Sequence, residues 1–188
     1  YVTGIGFGSV LMEFANVNCS ALHLHSKGTG VGKSTVMNAA CSIWGNPENL
    51  VIRQVDTLHS KMNRGELYHS LPWCIDEVTN IPPNVASDLL YQFTDGMQRN
   101  RMSGNSNVER VRGRPWKLMA ITTGNTSIVE RVSMAKAMAK AEAQRVMECY
   151  VPDMKGHFQS KEETDTFNRA LQENYGPAGI AFIQHVMQ

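Results

Sequence analysis

Apolar positions along the chain change their spacing several times, and each change predicts a helix or a strand. Residues 4–15 are densely apolar, which predicts a buried helix packed on the first strand. The short alternating run 21–25 predicts that strand, and residues 36–44 continue with apolar positions at helical spacing. Continuous apolar runs at 71–75 and 116–121 predict strands that are buried on both faces.

Weaker patterns between these runs predict the remaining elements. Residues 50–55 favour a short second strand, and Asp56 or Thr57 then caps a helix. Another helix begins at Pro82 and Pro83. The last predicted elements are a helix over 127–143, a strand over 146–152, a polar linker over 153–162, and two apolar tail helices that pack on the core as a small lid.

Composition narrows the class of protein without identifying a partner. The 188 residues suit one domain, and 18 basic against 17 acidic residues give a net charge of +1, so any nucleic-acid surface must be local. Neither a membrane-spanning stretch nor a signal-peptide pattern is present, which favours a cytoplasmic protein, or the bacterial host cytoplasm if the source is viral. The chain starts at Tyr1 without Met, so we expect a piece of a longer protein.

Four scattered cysteines show no paired spacing. This pattern favours buried free thiols in a reducing compartment over a zinc site. The cysteines are Cys19, Cys41, Cys74 and Cys149.

A glycine-rich turn between the first strand and the following helix predicts a phosphate-binding loop. Glycines let backbone N–H groups curl toward one point, and the helix N-terminus adds free donors and a partial positive charge. Lys33 can reach the β- and γ-phosphates of ATP, and the Ser34 hydroxyl can bind Mg²⁺. Lys27 stands where the usual pattern has glycine, so Gly28 and Gly30 are expected to supply the curl. The predicted loop comprises Gly28, Thr29, Gly30, Val31, Gly32, Lys33, Ser34 and Thr35.

Polar residues end the two strands that follow. Asp76 and Glu77 close the run 71–75; Asp76 would hold Mg²⁺, and Glu77 would orient and deprotonate the attacking water. Asn125 closes the next strand and could contact both the γ-phosphate and that water. A charged turn after a strand and an ordinary turn asparagine are the structural alternatives.

Residues 97–114 alternate with period two on either side of a turn, which predicts a β-hairpin. Its arginines form a local basic patch of the kind that binds phosphate backbones. A solvated edge hairpin is the alternative, and some arginines could instead face the nucleotide of a neighbouring subunit. The arginines are Arg99, Arg101, Arg110, Arg112 and Arg114.

Arg145 stands just before the last predicted strand. A cation from an adjacent subunit can balance the charge that develops on the γ-phosphate in the transition state. Arg145 is the first candidate for this role and Arg131 the second, with an ordinary surface arginine as the alternative.

These motifs occur in an order that resembles a superfamily 3 replicative helicase domain of the AAA+ class, in particular phage and plasmid ATPases often joined to primases. The order is Gly32–Thr35, Asp76–Glu77, the basic hairpin, Asn125 and then Arg145. The resemblance implies an α/β P-loop fold with a mainly parallel sheet, Lys33 and Ser34 on ATP and Mg²⁺, and Asn125 as sensor. It also implies a homo-oligomeric ring, a hexamer, in which the hairpin grips single-stranded DNA and Arg145 acts in trans.

On this interpretation, residues 1–152 form the ATPase core and residues 153–188 a C-terminal helical extension of the same domain. The expected function is an ATP-driven ring motor that translocates on single-stranded DNA and unwinds duplex during phage or plasmid replication. A primase or polymerase domain could lie on the same longer chain. A non-unwinding ATP switch that assembles or remodels a complex is the alternative, whereas the acidic pair and the sensor amide argue against a small-molecule kinase.

Overall fold

The computed structural model describes residues 1–16, 19–98, 102–103, 106–109, 113–135, 143–152, 158 and 160–188. Its strands are β1 (Ser20–His25), β2 (Trp73–Ile75), β3 (Met102–Ser103), β4 (Ser106–Glu109), β5 (Met119–Gly124) and β6 (Val146–Tyr150). Its α-helices are α1 (Val2–Gly8), α2 (Lys33–Ser42), α3 (Pro47–Leu50), α4 (Leu58–Tyr68), α5 (Pro83–Thr94), α6 (Ile128–Ser133), α7 (Lys161–Glu173) and α8 (Pro177–Val186). Short 3₁₀ helices cover Ser9–Leu11 and Val78–Asn80.

Four strands form a parallel sheet in the order β2-β5-β1-β6. The register pairs Ser20 with Met119 and His25 with Gly124, so β1 and β5 run side by side over their full length. Because all four strands point the same way, their carboxyl ends meet at one edge of the sheet. This confirms the predicted α/β fold with a mainly parallel sheet.

Helices cover both faces of the sheet, and each face buries its own apolar cluster. Residues of β1, β5 and α2 such as Leu22, Ile121 and Met37 form one cluster. On the opposite face Trp73 of β2 stacks on Phe93 of α5, with ring centroids 4.7 Å apart. Double coverage explains why β1 is buried throughout its centre although its sequence alternates.

Two predictions near the amino-terminal half are corrected. The apolar run 4–15 is only partly buried, and α1 packs mainly on α2, where the Trp44 Nε1–H donates to the Gly6 carbonyl at 2.8 Å. Residues 50–55 do not form a strand; Ile52 makes a single parallel bridge to Ile75 beside β2. The helix α3 takes up the start of that range, because Asn46 caps it and Pro47 opens it.

The other predicted elements are present where the structure describes them. The Thr57 hydroxyl accepts a hydrogen bond from Ser60 N and caps α4, and β3 and β4 pair antiparallel as the predicted hairpin. Helix α6 covers Ile128–Ser133 of the helix predicted over 127–143, and residues 136–142 of that range lie outside the described residues. In the tail, α7 packs on α2 and α8 follows it. Within the described residues, no helix has the length and apolar character needed to cross a membrane.

Cysteine burial differs from the prediction at one position. Cys19, Cys41 and Cys74 are buried free thiols, as expected. Cys149 is an exposed free thiol on β6, and among the described strands β6 pairs only with β1.

Candidate nucleotide-binding site

A cavity of 170 Å³ opens at the carboxyl edge of the sheet, beside the N-terminus of α2. The loop between β1 and α2 and the ends of β2 and β5 contribute residues to its wall. The predicted residues that line it are Thr29, Gly30, Val31, Gly32, Lys33, Ser34, Thr35, Asp76, Glu77 and Asn125. Three remote stretches of sequence that were predicted to act together therefore meet in one site.

The loop after β1 curls through two glycines with positive φ angles, Gly30 at 75° and Gly32 at 89°. Gly32 is the N-cap of α2, so the left-handed turn places the N–H groups of the first helical turn toward the cavity. Gly28 lacks a positive φ, which corrects the prediction that Gly28 and Gly30 form the curl. The turn therefore forms at Gly30 and Gly32, and the exposed Lys27 precedes it.

Lys33 lies at the centre of this loop. Its ammonium donates to the Gly28 carbonyl at 3.0 Å and to the Ser26 hydroxyl at 3.2 Å. These contacts hold the lysine side chain back along the loop, with its charge at the cavity wall. A polyphosphate in the cavity would therefore meet a fixed cation and the helix N-terminus together.

Asp76 accepts hydrogen bonds from two hydroxyl groups at the cavity. Its Oδ1 accepts from the Ser34 hydroxyl at 3.0 Å and from the Thr123 hydroxyl. Thr123 is 1% exposed, and its oxygen also accepts the backbone N–H of Glu77 at 2.9 Å. One hydroxyl on β5 thus orients both members of the acidic pair at the end of β2.

Glu77 adopts a left-handed backbone conformation, with φ of 53° and ψ of 39°. Such a conformation costs a non-glycine residue roughly 1–2 kcal/mol. Glu77 is exposed, and its Oε2 accepts from the Asn80 amide at 2.7 Å. The carboxylate is consequently held in one orientation while it remains accessible to water.

Asn125 is held in the cavity wall through its backbone. Its N–H donates to the Thr79 hydroxyl at 3.1 Å, which joins the end of β5 to the 3₁₀ turn after Glu77. Behind this loop, the buried His23 ring contacts the Thr122 hydroxyl at 2.8 Å and the Thr126 carbonyl at 3.0 Å. Burial of the imidazole lowers the pKa of His23 from 6.5 to about 4. A neutral histidine therefore supports the loop that carries Asn125.

Helix α7 of the tail forms the last part of the wall. Thr164 lines the cavity, and one turn later the Asn168 amide donates to the Thr35 hydroxyl at 3.3 Å. The Oδ1 of Asn168 is buried and has no hydrogen-bond partner within the part of the chain that the structure describes. The C-terminal helices thus contact the phosphate-loop helix directly.

The two candidate arginine fingers lie outside this cavity. Arg145 precedes β6 at the amino edge of the sheet; it donates to the Thr94 hydroxyl at 3.0 Å and lies 5.6 Å from the centroid of the Tyr91 ring. Arg131 is half-buried in α6 and donates to the Ile81 carbonyl at 3.2 Å, while its Nε is buried and has no hydrogen-bond partner among the described residues. Neither arginine therefore reaches the phosphate loop of its own chain.

The basic hairpin is described only in part. Four of its five predicted arginines, Arg99, Arg101, Arg110 and Arg112, lie outside the described residues. Arg114 is exposed, and its backbone N–H donates to Glu66 at 3.0 Å.

Several residues at the site were not predicted from the sequence. They are Thr79, Asn80, Thr123, Thr164 and Asn168. Thr123 had a usable signal, since it precedes Asn125 by two residues at the end of a buried strand. Among the described residues, no group of three or more His, Cys, Asp or Glu side chains could hold a metal ion.

Comparison with known proteins supports the fold. Residues 3–113 match the family described as "Domain of unknown function (DUF927)", and the chain belongs to this family. One similar solved structure is named "SCCmec type IV Cch - active helicase". The alignment covers 98% of this chain and 33% of the chain in that structure, with a TM-score of 0.69 and 17% sequence identity. This chain therefore has a helicase-like P-loop fold and spans about a third of that structure's length.

A second solved structure, NtrX from Brucella abortus in complex with ATP, aligns less well. The alignment covers 92% of this chain and 42% of that one, with 12% identity and a TM-score of 0.45, which is too low to indicate a common fold. No curated protein sequence matches the chain.

Proposed function

We propose that this domain hydrolyses ATP in the cavity beside α2 and uses the energy to move along single-stranded DNA as part of a homo-oligomeric ring, a hexamer. The observation that carries the proposal is the convergence of Lys33, Ser34, Asp76, Glu77 and Asn125 on one cavity at the carboxyl edge of the sheet. Phosphoryl transfer depends on positioning and on electrostatic stabilisation, and this set offers both.

The residues present fit Mg²⁺ as well as ATP. Ser34 and Asp76 place a hydroxyl and a carboxylate oxygen 3.0 Å apart, and such hard oxygen donors are the ligands that Mg²⁺ prefers. When bound, Mg²⁺ would neutralise charge on the phosphate oxygens. Lys33 and the N–H groups of the loop would bind the β- and γ-phosphates directly.

Glu77 and Asn125 would act on the attacking water. Glu77 accepts a proton from the water as its oxygen bonds to the γ-phosphorus, and the bond from that phosphorus to the bridging oxygen breaks with its electron pair on ADP. Asn125 would orient the same water and the γ-phosphate. The fixed carboxylate of Glu77, held by Asn80, supports this assignment.

A neighbouring subunit would complete the site. Arg145, or Arg131 in second place, would supply a cation in trans, and neither lies at the cavity of its own chain. The arginines of the hairpin (Arg99, Arg101, Arg110, Arg112 and Arg114) would contact DNA. The active helicase with the same fold supports duplex unwinding as the outcome, which we assign to phage or plasmid replication.

The proposed domain organisation follows the site. Residues 1–152 would be the ATPase core, and residues 153–188 a helical extension that contacts it through Thr164 and Asn168. Because this chain spans only a third of its structural neighbour, a primase or polymerase domain on the same longer protein fits the proposal.

ATP turnover with and without single-stranded DNA tests the proposal, together with particle mass from light scattering. Lys33→Ala should abolish nucleotide binding or turnover, whereas Glu77→Gln should bind ATP and stop turnover. Normal turnover by Glu77→Gln would reject Glu77 as the base. A ring that hydrolyses ATP but ignores DNA would replace the motor with an ATP switch.

A further inference from the structure

The hairpin is fastened at both of its roots to one carboxylate on α4. Glu66 Oε1 accepts the backbone N–H of Arg114 at 3.0 Å, and Glu66 Oε2 accepts from the Gln98 amide at 3.3 Å. The same amide donates to Asn63, one turn earlier on α4, at 2.6 Å. Gln98 and Arg114 flank residues 99–113, so Glu66 closes the base of the hairpin.

Two glycines and Trp116 pack beside Glu66 at the base of the hairpin. A Cβ on Gly113 would overlap Glu66 Oε2, so a larger residue there would displace the end of the Glu66 side chain. A Cβ on Gly65, which precedes Glu66 in α4, would make an ordinary van der Waals contact with the Trp116 ring at 3.4 Å. Trp116 in turn donates its backbone N–H to the Gly96 carbonyl at 2.8 Å, which ties the two chain segments together.

Other side chains of α4 are bonded to the end of α3 and to the residues that follow it, a segment that covers residues 49–54. The buried Lys61 ammonium donates to the Gln54 carbonyl at 3.0 Å, and Arg64 donates to the Asn49 carbonyl at 2.8 Å. The Tyr68 hydroxyl donates to the Leu50 carbonyl at 3.0 Å. Three side chains of α4 therefore hold the backbone of residues 49–54.

This segment also bonds to the strand that carries the acidic pair. Ile52 N donates to the Cys74 carbonyl at 2.8 Å, and Asp76 N donates to the Ile52 carbonyl at 3.3 Å. A displacement of Asp76 would therefore displace Ile52, and through residues 49–54 it would shift α4. A shift of α4 would move Glu66 and the hairpin base that Glu66 holds. Hydrogen bonds join Asp76 to Ile52 and residues 49–54 to α4, and the backbone of residues 49–54 and of α4 makes the remaining connections.

We propose that α4 couples the nucleotide cavity to the hairpin, with Glu66 as the positioning residue that holds both hairpin roots. The inference rests on the proposed binding of ATP at the cavity, but it does not require that the hairpin bind DNA. Coupling is measured as a response at one site to a ligand at the other.

Hydrogen–deuterium exchange of peptides spanning residues 98–114 gives this response directly. Exchange is compared with and without Mg²⁺ and a non-hydrolysable ATP analogue, in the wild type and in Glu66→Ala, Glu66→Gln and Glu173→Ala. Glu66→Gln keeps an oxygen that can accept from Arg114 N, and Glu173 is an exposed glutamate at the end of α7. If Glu66→Ala does not fold, Gln98→Ala removes the hydrogen bond between Gln98 and Glu66 instead.

We expect the analogue to change exchange in this peptide in the wild type, and Glu66→Ala to reduce that change by about threefold or more. Glu66→Gln and Glu173→Ala should keep it. The ratio of DNA-stimulated to basal ATP turnover, taken for each variant against its own basal rate, should follow the same order.

The outcomes separate the two proposals. A wild-type response in Glu66→Ala, or no response in a wild type that binds the analogue, would overturn the coupling and leave the ATPase intact. A response that needs Glu66 in a protein that ignores DNA would support the coupling and overturn the DNA motor. Failure to bind the analogue, measured by fluorescence, would overturn the proposed function and the coupling with it.

Discussion

Thr123 is the residue on which the geometry of the acidic pair depends. Its buried hydroxyl donates to Asp76 and accepts from Glu77 N at 2.9 Å. Thr123→Val keeps the shape of the side chain and removes both contacts. Leaving a buried polar group unsatisfied costs about 1–3 kcal/mol, so we expect ATP turnover to fall roughly 10- to 100-fold. Steady-state kinetics and nucleotide titration should show a loss in kcat with little change in binding.

Thr123→Ser is the matched control for this prediction. It keeps the hydroxyl and removes only a methyl group, so turnover should stay close to that of the wild type. If Thr123→Val turned over ATP as fast as the wild type, the orientation of Asp76 and Glu77 would not depend on Thr123.

His23 makes stability depend on pH. Burial lowers its pKa to about 4, and its charged and titratable neighbours are His25, Lys33 and Glu148. The unfolded chain takes up a proton near pH 6.5 and the folded chain only near 4. The stabilisation from a neutral His23 is thus complete above about pH 6.5 and is lost as pH falls toward 4, by about 3 kcal/mol.

Urea unfolding between about pH 4 and 8 measures this dependence. His23→Gln does not titrate, so its free energy of unfolding should fall less steeply over the same range. The difference between the two curves isolates His23 from the carboxylates that titrate in both proteins. Parallel curves would mean that the histidine is protonated equally in the folded and unfolded chains.

Among the elements, those with strong periodicity or a tight motif could be predicted from sequence. Strands β1, β2 and β5 and the turn into α2 were predicted because their sequences carry the pattern themselves. The predicted strand over 50–55 was wrong, because a single bridge at Ile52 and the capped helix α3 replace it. The contacts of Thr123 and Glu66 join elements that are 46 and 48 residues apart, and no local pattern encodes such pairs.

Helix α8 is held on the core by a close approach that only glycine permits. Gly179 N donates to the Ile43 carbonyl at 3.0 Å, and a Cβ at this position would lie 2.5 Å from that oxygen and 2.6 Å from Trp44. Gly179→Ala should therefore cost about 1–3 kcal/mol, as overpacking does. For a domain of this size, calorimetry should show a melting temperature lower by roughly 3–10 °C.

Gly4→Ala is the control for the Gly179 substitution. Gly4 lies inside α1 without a positive φ, and a Cβ there would meet no atom of another element within 4 Å. Alanine should stabilise the helix at this position by about 0.5–1 kcal/mol. Equal melting temperatures for Gly179→Ala and the wild type would show that α8 can shift without loss of stability.

At the scale of the whole molecule, the proposed arginine finger makes each site a property of two subunits. Arg145 lies at the amino edge of the sheet and the cavity at the carboxyl edge, so one subunit would offer them on different sides. The Arg145→Ala subunit keeps a complete cavity but cannot supply the arginine to its neighbour. The Glu77→Gln subunit keeps Arg145 but its own cavity lacks the catalytic base. Each variant alone should be inactive.

Mixing the two variants before assembly tests whether Arg145 acts in trans. In a randomly mixed ring, about a quarter of the interfaces join an Arg145→Ala cavity to the arginine of a Glu77→Gln subunit. These interfaces carry every catalytic group, so turnover should rise from background to about a quarter of the wild-type rate. A mixture that stayed inactive while its particle mass matched that of the wild type would restrict Arg145 to its contacts with Thr94 and Tyr91 within one chain.

The same mixture made with Arg131→Ala would then test the second candidate, whose guanidinium contacts Ile81.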